Sequence, residues 1–138
     1  MTALAPQILV IDDEQQQLET ICRGLLLYGY GCKGVLGDEA VMSILNNRDD
    51  QQFDLVLMDL TRPNPAGIEL IEKFQTEWPS VPIVLITGLV NSALSRMILK
   101  RNIAYIKKPF DPDTLHFTIA HSLRETRRGQ GLQGQMRS

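Results

Sequence analysis

The chain contains no apolar run approaching the ~18 residues that a membrane span requires, and no basic stretch followed by a long apolar one at its N-terminus. It also lacks a surplus of either charge: 14 basic residues face 16 acidic ones, for a net charge of −2. Without a basic field, the protein as a whole is not drawn to nucleic acid or to an anionic membrane. Direct nucleic-acid binding and membrane attachment are therefore not expected, and the cytoplasm is the expected location. Cysteine is scarce as well. Cys22 and Cys32 stand ten positions apart, a spacing of neither a CxxC redox pair nor a zinc site. They are expected to be two small buried thiols in a reducing compartment.

What is present describes one globular domain. A chain of 138 residues buries roughly two-thirds of its unfolded surface, enough for one core without staples, and 43% hydrophobic with 22% charged residues is globular composition. Short continuous apolar runs occupy 8–11, 55–58, 83–86 and 103–106, with a weaker one at 32–36. Continuous rather than alternating hydrophobicity marks strands covered on both faces. Between them lie helical patterns. Leu18, Ile21, Cys22 and Leu25 form one stripe over 14–28, stopped by Gly29. Asp38 stands as the N-cap of a helix carrying Ala40, Val41, Ile44 and Leu45. Ile68, Ile71 and Phe74 face inward over 68–77, before Pro79. A fourth helix covers 91–101, and a fifth starts near Pro112 with Leu115, Ile119 and Leu123 on one face.

Five alternations with right-handed crossovers predict an α/β, flavodoxin-like (βα)5 doubly wound sandwich, a parallel five-stranded sheet in the order 2-1-3-4-5. The domain is expected over residues 7–126. Beyond it, residues 127–138 read as a flexible tail or the start of an interdomain linker, with periodicity lost after Arg128 amid Gly129, Gly131 and Gly134.

In such a sheet, ligands bind outside the carboxyl ends of the strands, beside the point where strand order reverses. The first strand ends in Asp12, Asp13 and Glu14, and the third in Asp59. Two unit charges about 4 Å apart repel by roughly 4 kcal/mol at an effective dielectric of about 20, so the cluster calls for a cation or a raised pKa. Oxygen ligands in a hydrated cleft suit magnesium better than zinc or iron. The fourth strand adds Thr87 and Gly88, and the fifth adds Lys107, Lys108 and Pro109. Acids, metal, hydroxyl and lysine together describe phosphoryl transfer. With no cysteine or histidine near, the nucleophile is a carboxylate, and Asp59 on the central strand is the best placed.

These residues resemble the receiver domain of two-component response regulators (the CheY-like superfamily) over about residues 7–126. The matching pieces are residues 8–14, reading ILVIDDE, residues 57–60, reading LMDL, with Pro63 and Gly67 following, residues 86–88, reading ITG, and Tyr105 ahead of Lys108, Pro109 and Phe110. The resemblance implies a signalling phosphoacceptor and not an enzyme, with self-phosphorylation and slow autodephosphorylation only. Asp59 would take its phosphoryl group from a sensor histidine kinase or a histidine phosphotransfer protein. Magnesium would be held by Asp13, Asp59 and the backbone carbonyl of Thr61, with Asp12 acting largely through water. Lys108 would hold a phosphoryl oxygen, its bond to Pro109 would be cis, and Thr87 and Tyr105 would form the switch pair. An output domain or a second copy would meet the face of the fourth helix, fifth strand and fifth helix.

The loop after Asp59 departs from the family pattern, with Arg62 before Pro63 and Ala66 before Gly67. Partner choice and phosphate lifetime are where that departure acts. Three other functions fit the residues less well. A flavin or nucleotide binder needs a phosphate-cradling Gly- or Ser/Thr-rich first loop, and Asp-Asp-Glu repels phosphate. An aspartate-nucleophile phosphatase wants a second acid two residues after the nucleophile, where Thr61 stands. A degenerate, binding-only receiver is opposed by the complete set of Asp12, Asp13, Asp59, Thr87 and Lys108. His116 and His121 lack i, i+4 metal spacing, Trp78 reads as a packing anchor, and Arg124, Arg127 and Arg128 suit a helix C-terminus.

Overall fold

The structure is a computed structural model that describes residues 5–46, 53–60, 65–88 and 90–137, without the side chains of 38, 39, 65, 66 and 127–137. Five strands and five helices alternate: β1 (Gln7–Asp12), α1 (Gln15–Leu27), β2 (Gly31–Leu36), α2 (Asp38–Asn46), β3 (Leu55–Asp59), α3 (Pro65–Glu77), β4 (Ile83–Thr87), α4 (Ser92–Arg101), β5 (Ala104–Lys107) and α5 (Pro112–Arg137). The sheet runs β2-β1-β3-β4-β5, and every neighbouring pair is parallel. This is the predicted flavodoxin-like order.

The continuous apolar runs have a simple cause. Alternate residues of each strand enter different cores on the two faces of the sheet. Leu9, Ile11, Val56, Met58 and Leu85 pack with Val41, Ile71, Phe74, Leu94 and Ile98, under α2, α3 and α4. Ile8, Val10, Leu55, Leu57, Val84 and Ile86 pack with Leu18, Ile21, Leu25, Leu115 and Ile119, under α1 and α5. A strand buried on both faces cannot afford polar alternation. The edge strand β2 has only Val35 fully buried, which is why its sequence signal is weak.

Helix boundaries follow local chemistry. Gly29 takes φ 88 just past α1, a conformation open to glycine without a Cβ penalty. Asn91 caps α4 by accepting the Leu94 N–H at 2.8 Å. The third helix starts at Pro65, three residues before the apolar stripe begins at Ile68, because proline is well suited to a first helical turn. Neither Asp12 nor Asp13 caps α1, whose N-cap is Glu14.

Two expectations need correction. The backbone of α5 stays helical to Arg137, where the sequence reads as aperiodic from residue 129. Helix propagation onto a formed helix is far easier than nucleation, and the packed turns of Leu115, Ile119 and Leu123 supply the nucleus. Cys22 and Cys32 are joined as a disulfide, with Cα atoms 5.8 Å apart, rather than standing as free thiols. Their sequence spacing carries no signal because the α1–β2 turn folds the helix back along the edge strand, bringing the two positions side by side.

Candidate functional site

The reversal of strand order falls between β1 and β3, and both strands end in acids. Asp12 is 2% exposed. Its Oδ1 accepts the Glu14 N–H at 3.0 Å, while Oδ2 is buried with no hydrogen-bond partner. Burial pushes its pKa up to about 6; the Glu14 N–H opposes the rise, and the Asp59 and Asp13 carboxylates add to it. Asp13 and Glu14 are exposed.

The Asp59 side chain is only 1% exposed. Lys108 Nζ lies 2.7 Å from its Oδ2, and the carboxamide of Gln17 donates to the same oxygen. Lys108 reaches over from beyond β5, its N–H donated to the Thr87 carbonyl at 2.8 Å. The Lys108–Pro109 peptide is cis, as the resemblance implied. Thr87 ends β4 and is fully buried, while Gly88 beside it is exposed. Tyr105 on β5 is 46% exposed, its ring turned out to solvent.

The structure thus brings Asp12, Asp59, Thr87 and Lys108 to one end of the sheet, with Asp13 on the rim. Thr61, Arg62 and Pro63 lie outside the described residues, as does the Ala66 side chain. Among the described residues, no three His, Cys, Asp or Glu side chains form a metal-holding group. An orphaned buried carboxylate oxygen beside further acids nevertheless suits a hard cation. Magnesium in particular binds through one or two carboxylates and keeps several waters, so it does not need three side chains. The residues therefore fit magnesium.

Gln17 is the site residue that the sequence reading missed. It stands one turn ahead of Ile21 on the inward stripe of α1, at the end of the helix nearest the strand termini. That phase is the signal that would have found it. Beside it opens a cavity of about 550 Å³ lined by Gln17, Thr20, Ile21, Lys108, Pro109 and Phe110.

Comparison with known proteins places this arrangement. Residues 8–120 match the model of the response regulator receiver domain. The transcriptional regulatory protein ZraR of Klebsiella oxytoca is 32% identical over 121 residues, which cover 87% of this chain and 27% of that protein. The CAI-1 autoinducer sensor kinase/phosphatase CqsS of Vibrio cholerae is 32% identical over 118 residues, covering 83% of this chain and 17% of its own length. Among solved structures, a CheY-like response regulator receiver domain protein from Methanospirillum hungatei superposes with a TM-score of 0.79 at 26% identity, covering 91% of this chain and 98% of that one. The chain spans about a quarter or less of these two curated relatives, one named as a transcriptional regulator and the other as a kinase/phosphatase. The similarity to each extends over that portion of its length alone. Among the described residues, no helix is long and apolar enough to cross a membrane.

Proposed function

The chain belongs to the response regulator receiver domain family, and we propose that within it Asp59 accepts a phosphoryl group from the phosphohistidine of a sensor kinase or phosphotransfer protein. A carboxylate oxygen attacks phosphorus, an O–P bond forms as the donor's P–N bond breaks, and the departing imidazole keeps the electron pair. The observation that carries this reading is the 2.7 Å contact of Lys108 with Asp59 beside the buried, partnerless Asp12 Oδ2. It is a nucleophile set between a fixed cation and a cluster of acids.

Asp13, Asp59 and the Thr61 carbonyl would hold magnesium, with Asp12 acting through water, and the ion would offset negative charge on the phosphoryl oxygens. Lys108 stays beside the acceptor and takes a phosphoryl oxygen. The Thr87 hydroxyl, buried at the end of β4, takes another. The domain so described is a signalling switch with self-phosphorylation and slow self-hydrolysis as its only chemistry. Its output partner, a further domain or a second copy, would read the face of α4, β5 and α5. Acetyl phosphate with magnesium should add one base-labile phosphoryl group to the intact protein, and none to Asp59→Asn. Equal incorporation by the two proteins, read by intact mass, would overturn the assignment.

A further inference from the structure

Two donors converge on one oxygen of a carboxylate that has almost no surface of its own. Lys108 Nζ and the Gln17 carboxamide both meet Asp59 Oδ2, and the Asp59 side chain is 1% exposed. A phosphodonor that approaches through Oδ2 has to displace one of these two neighbours. Lys108 is tied at its backbone to the Thr87 carbonyl and carries the charge that a phosphoryl group needs. Gln17 is neutral, half-buried, and attached to the first turn of α1. It also has somewhere to go, since it borders the cavity of about 550 Å³ between α1 and the Lys108, Pro109 and Phe110 segment.

We propose that Gln17 is a positioning residue that caps the Asp59 carboxylate and sets how readily a phosphodonor reaches it. In the resting state its N–H holds Oδ2 and shields it. For transfer, the carboxamide swings off Oδ2 into the neighbouring cavity and the donor takes its place. A hydrogen bond also withdraws electron density from the oxygen it caps, so its release makes the nucleophile stronger as well as more open. The inference rests on Asp59 being the phosphoacceptor.

The test compares wild type with Gln17→Met, which keeps length and helix propensity but has no N–H, and with Gln16→Ala as a control on the exposed face of the same turn. Initial rates of phosphorylation by acetyl phosphate are measured at saturating magnesium, and folding is checked by melting temperature. A hydrogen bond to a charged group, lost on both proximity and reactivity grounds, predicts a rate increase on the order of tenfold for Gln17→Met and none for Gln16→Ala. A merely structural role would give the opposite sign, a slower and less stable protein. A second reading needs no donor: the side-chain amide resonances of Gln17 should shift in Asp59→Asn. Unchanged or slower phosphorylation of Gln17→Met, or Gln17 resonances indifferent to Asp59→Asn, overturns the cap while wild type still labels on Asp59. A wild type that takes no phosphoryl group on Asp59 overturns the receiver reading itself, and the cap with it.

Discussion

The Lys108 ammonium lies 2.7 Å from the Asp59 carboxylate although their strands, β5 and β3, are separated in the sheet by β4. The lysine spans that gap from a turn anchored on the Thr87 carbonyl. It therefore touches the ends of three strands at once, through its side chain, its backbone and its place beyond β5. A cation in this position relieves the repulsion among the acids.

Replacing that cation should be costly. Lys108→Met leaves a carboxylate that is 1% exposed without its charged partner, and the lysine is itself only 27% exposed. A charged hydrogen bond of this kind contributes about 2 kcal/mol. Chemical denaturation of the metal-free protein should show a loss of that order, and an unchanged midpoint would mean that the pair is too well solvated to matter.

Asp12 gives the fold a pH dependence of unusual sign. Its folded pKa, about 6, lies above the unfolded value of 3.8, so the folded state binds the proton more tightly. Its ionisation costs stability in full above pH 6, and the cost is relieved as pH falls from about 6 to about 4. The difference corresponds to about 3 kcal/mol at neutral pH. Metal-free protein should thus melt at a higher temperature at pH 5 than at pH 7.5, and Asp12→Asn should flatten the difference while keeping an oxygen for the Glu14 N–H. A wild-type profile that falls through this window as steeply as that of Asp12→Asn would contradict the assignment.

Magnesium should stabilise the same cluster from the other direction. A ligand that binds only the native state contributes about 2.7 kcal/mol at 100-fold over its dissociation constant, which is several degrees of melting temperature for a domain of this size. Asp13→Asn, on the exposed rim, should raise the melting temperature in EDTA by removing like charge and should shrink the magnesium increment. Calorimetry in which neither change appears would show that the acids do not form a metal site.

Much of this was legible in the sequence, for identifiable reasons. The strands were readable because burial on both faces forces continuous apolar runs, and Asp12, Asp59, Thr87 and Lys108 were readable because they stand where those runs stop. The Cys22–Cys32 pairing was not, because a separation of ten says nothing about a helix folding back on its edge strand. Gln17 was not, because it stands in the run Gln15, Gln16, Gln17, and only the phase of the helix tells the inward glutamine from its neighbours. The helical continuation past residue 129 was hidden by glycines that weaken local propensity without preventing propagation.

A switch through Thr87 and Tyr105 is open to a direct test. The Tyr105 ring is 46% exposed, whereas Thr87 on the neighbouring strand is fully buried, and a Thr87 hydroxyl drawn toward a phosphoryl oxygen would leave room for the ring to turn in. A ligand shifts such an equilibrium only through its differential affinity for the two states. NMR mapping with magnesium and beryllofluoride should move resonances of α4, Tyr105 and α5 as well as those of the acid cluster. Changes confined to the cluster would leave the domain signalling through another face.

The position of the phosphoryl group decides whether Asp59 is the acceptor, and reductive trapping reads that position directly. Protein phosphorylated with acetyl phosphate and magnesium is treated with borohydride, which reduces an aspartyl phosphate to homoserine, and the digest is sequenced by mass spectrometry. Homoserine is expected at position 59 and at no other aspartate. Homoserine at Asp12 or Asp13, or a phosphoryl group that survives borohydride on a hydroxyl or an imidazole, would contradict it.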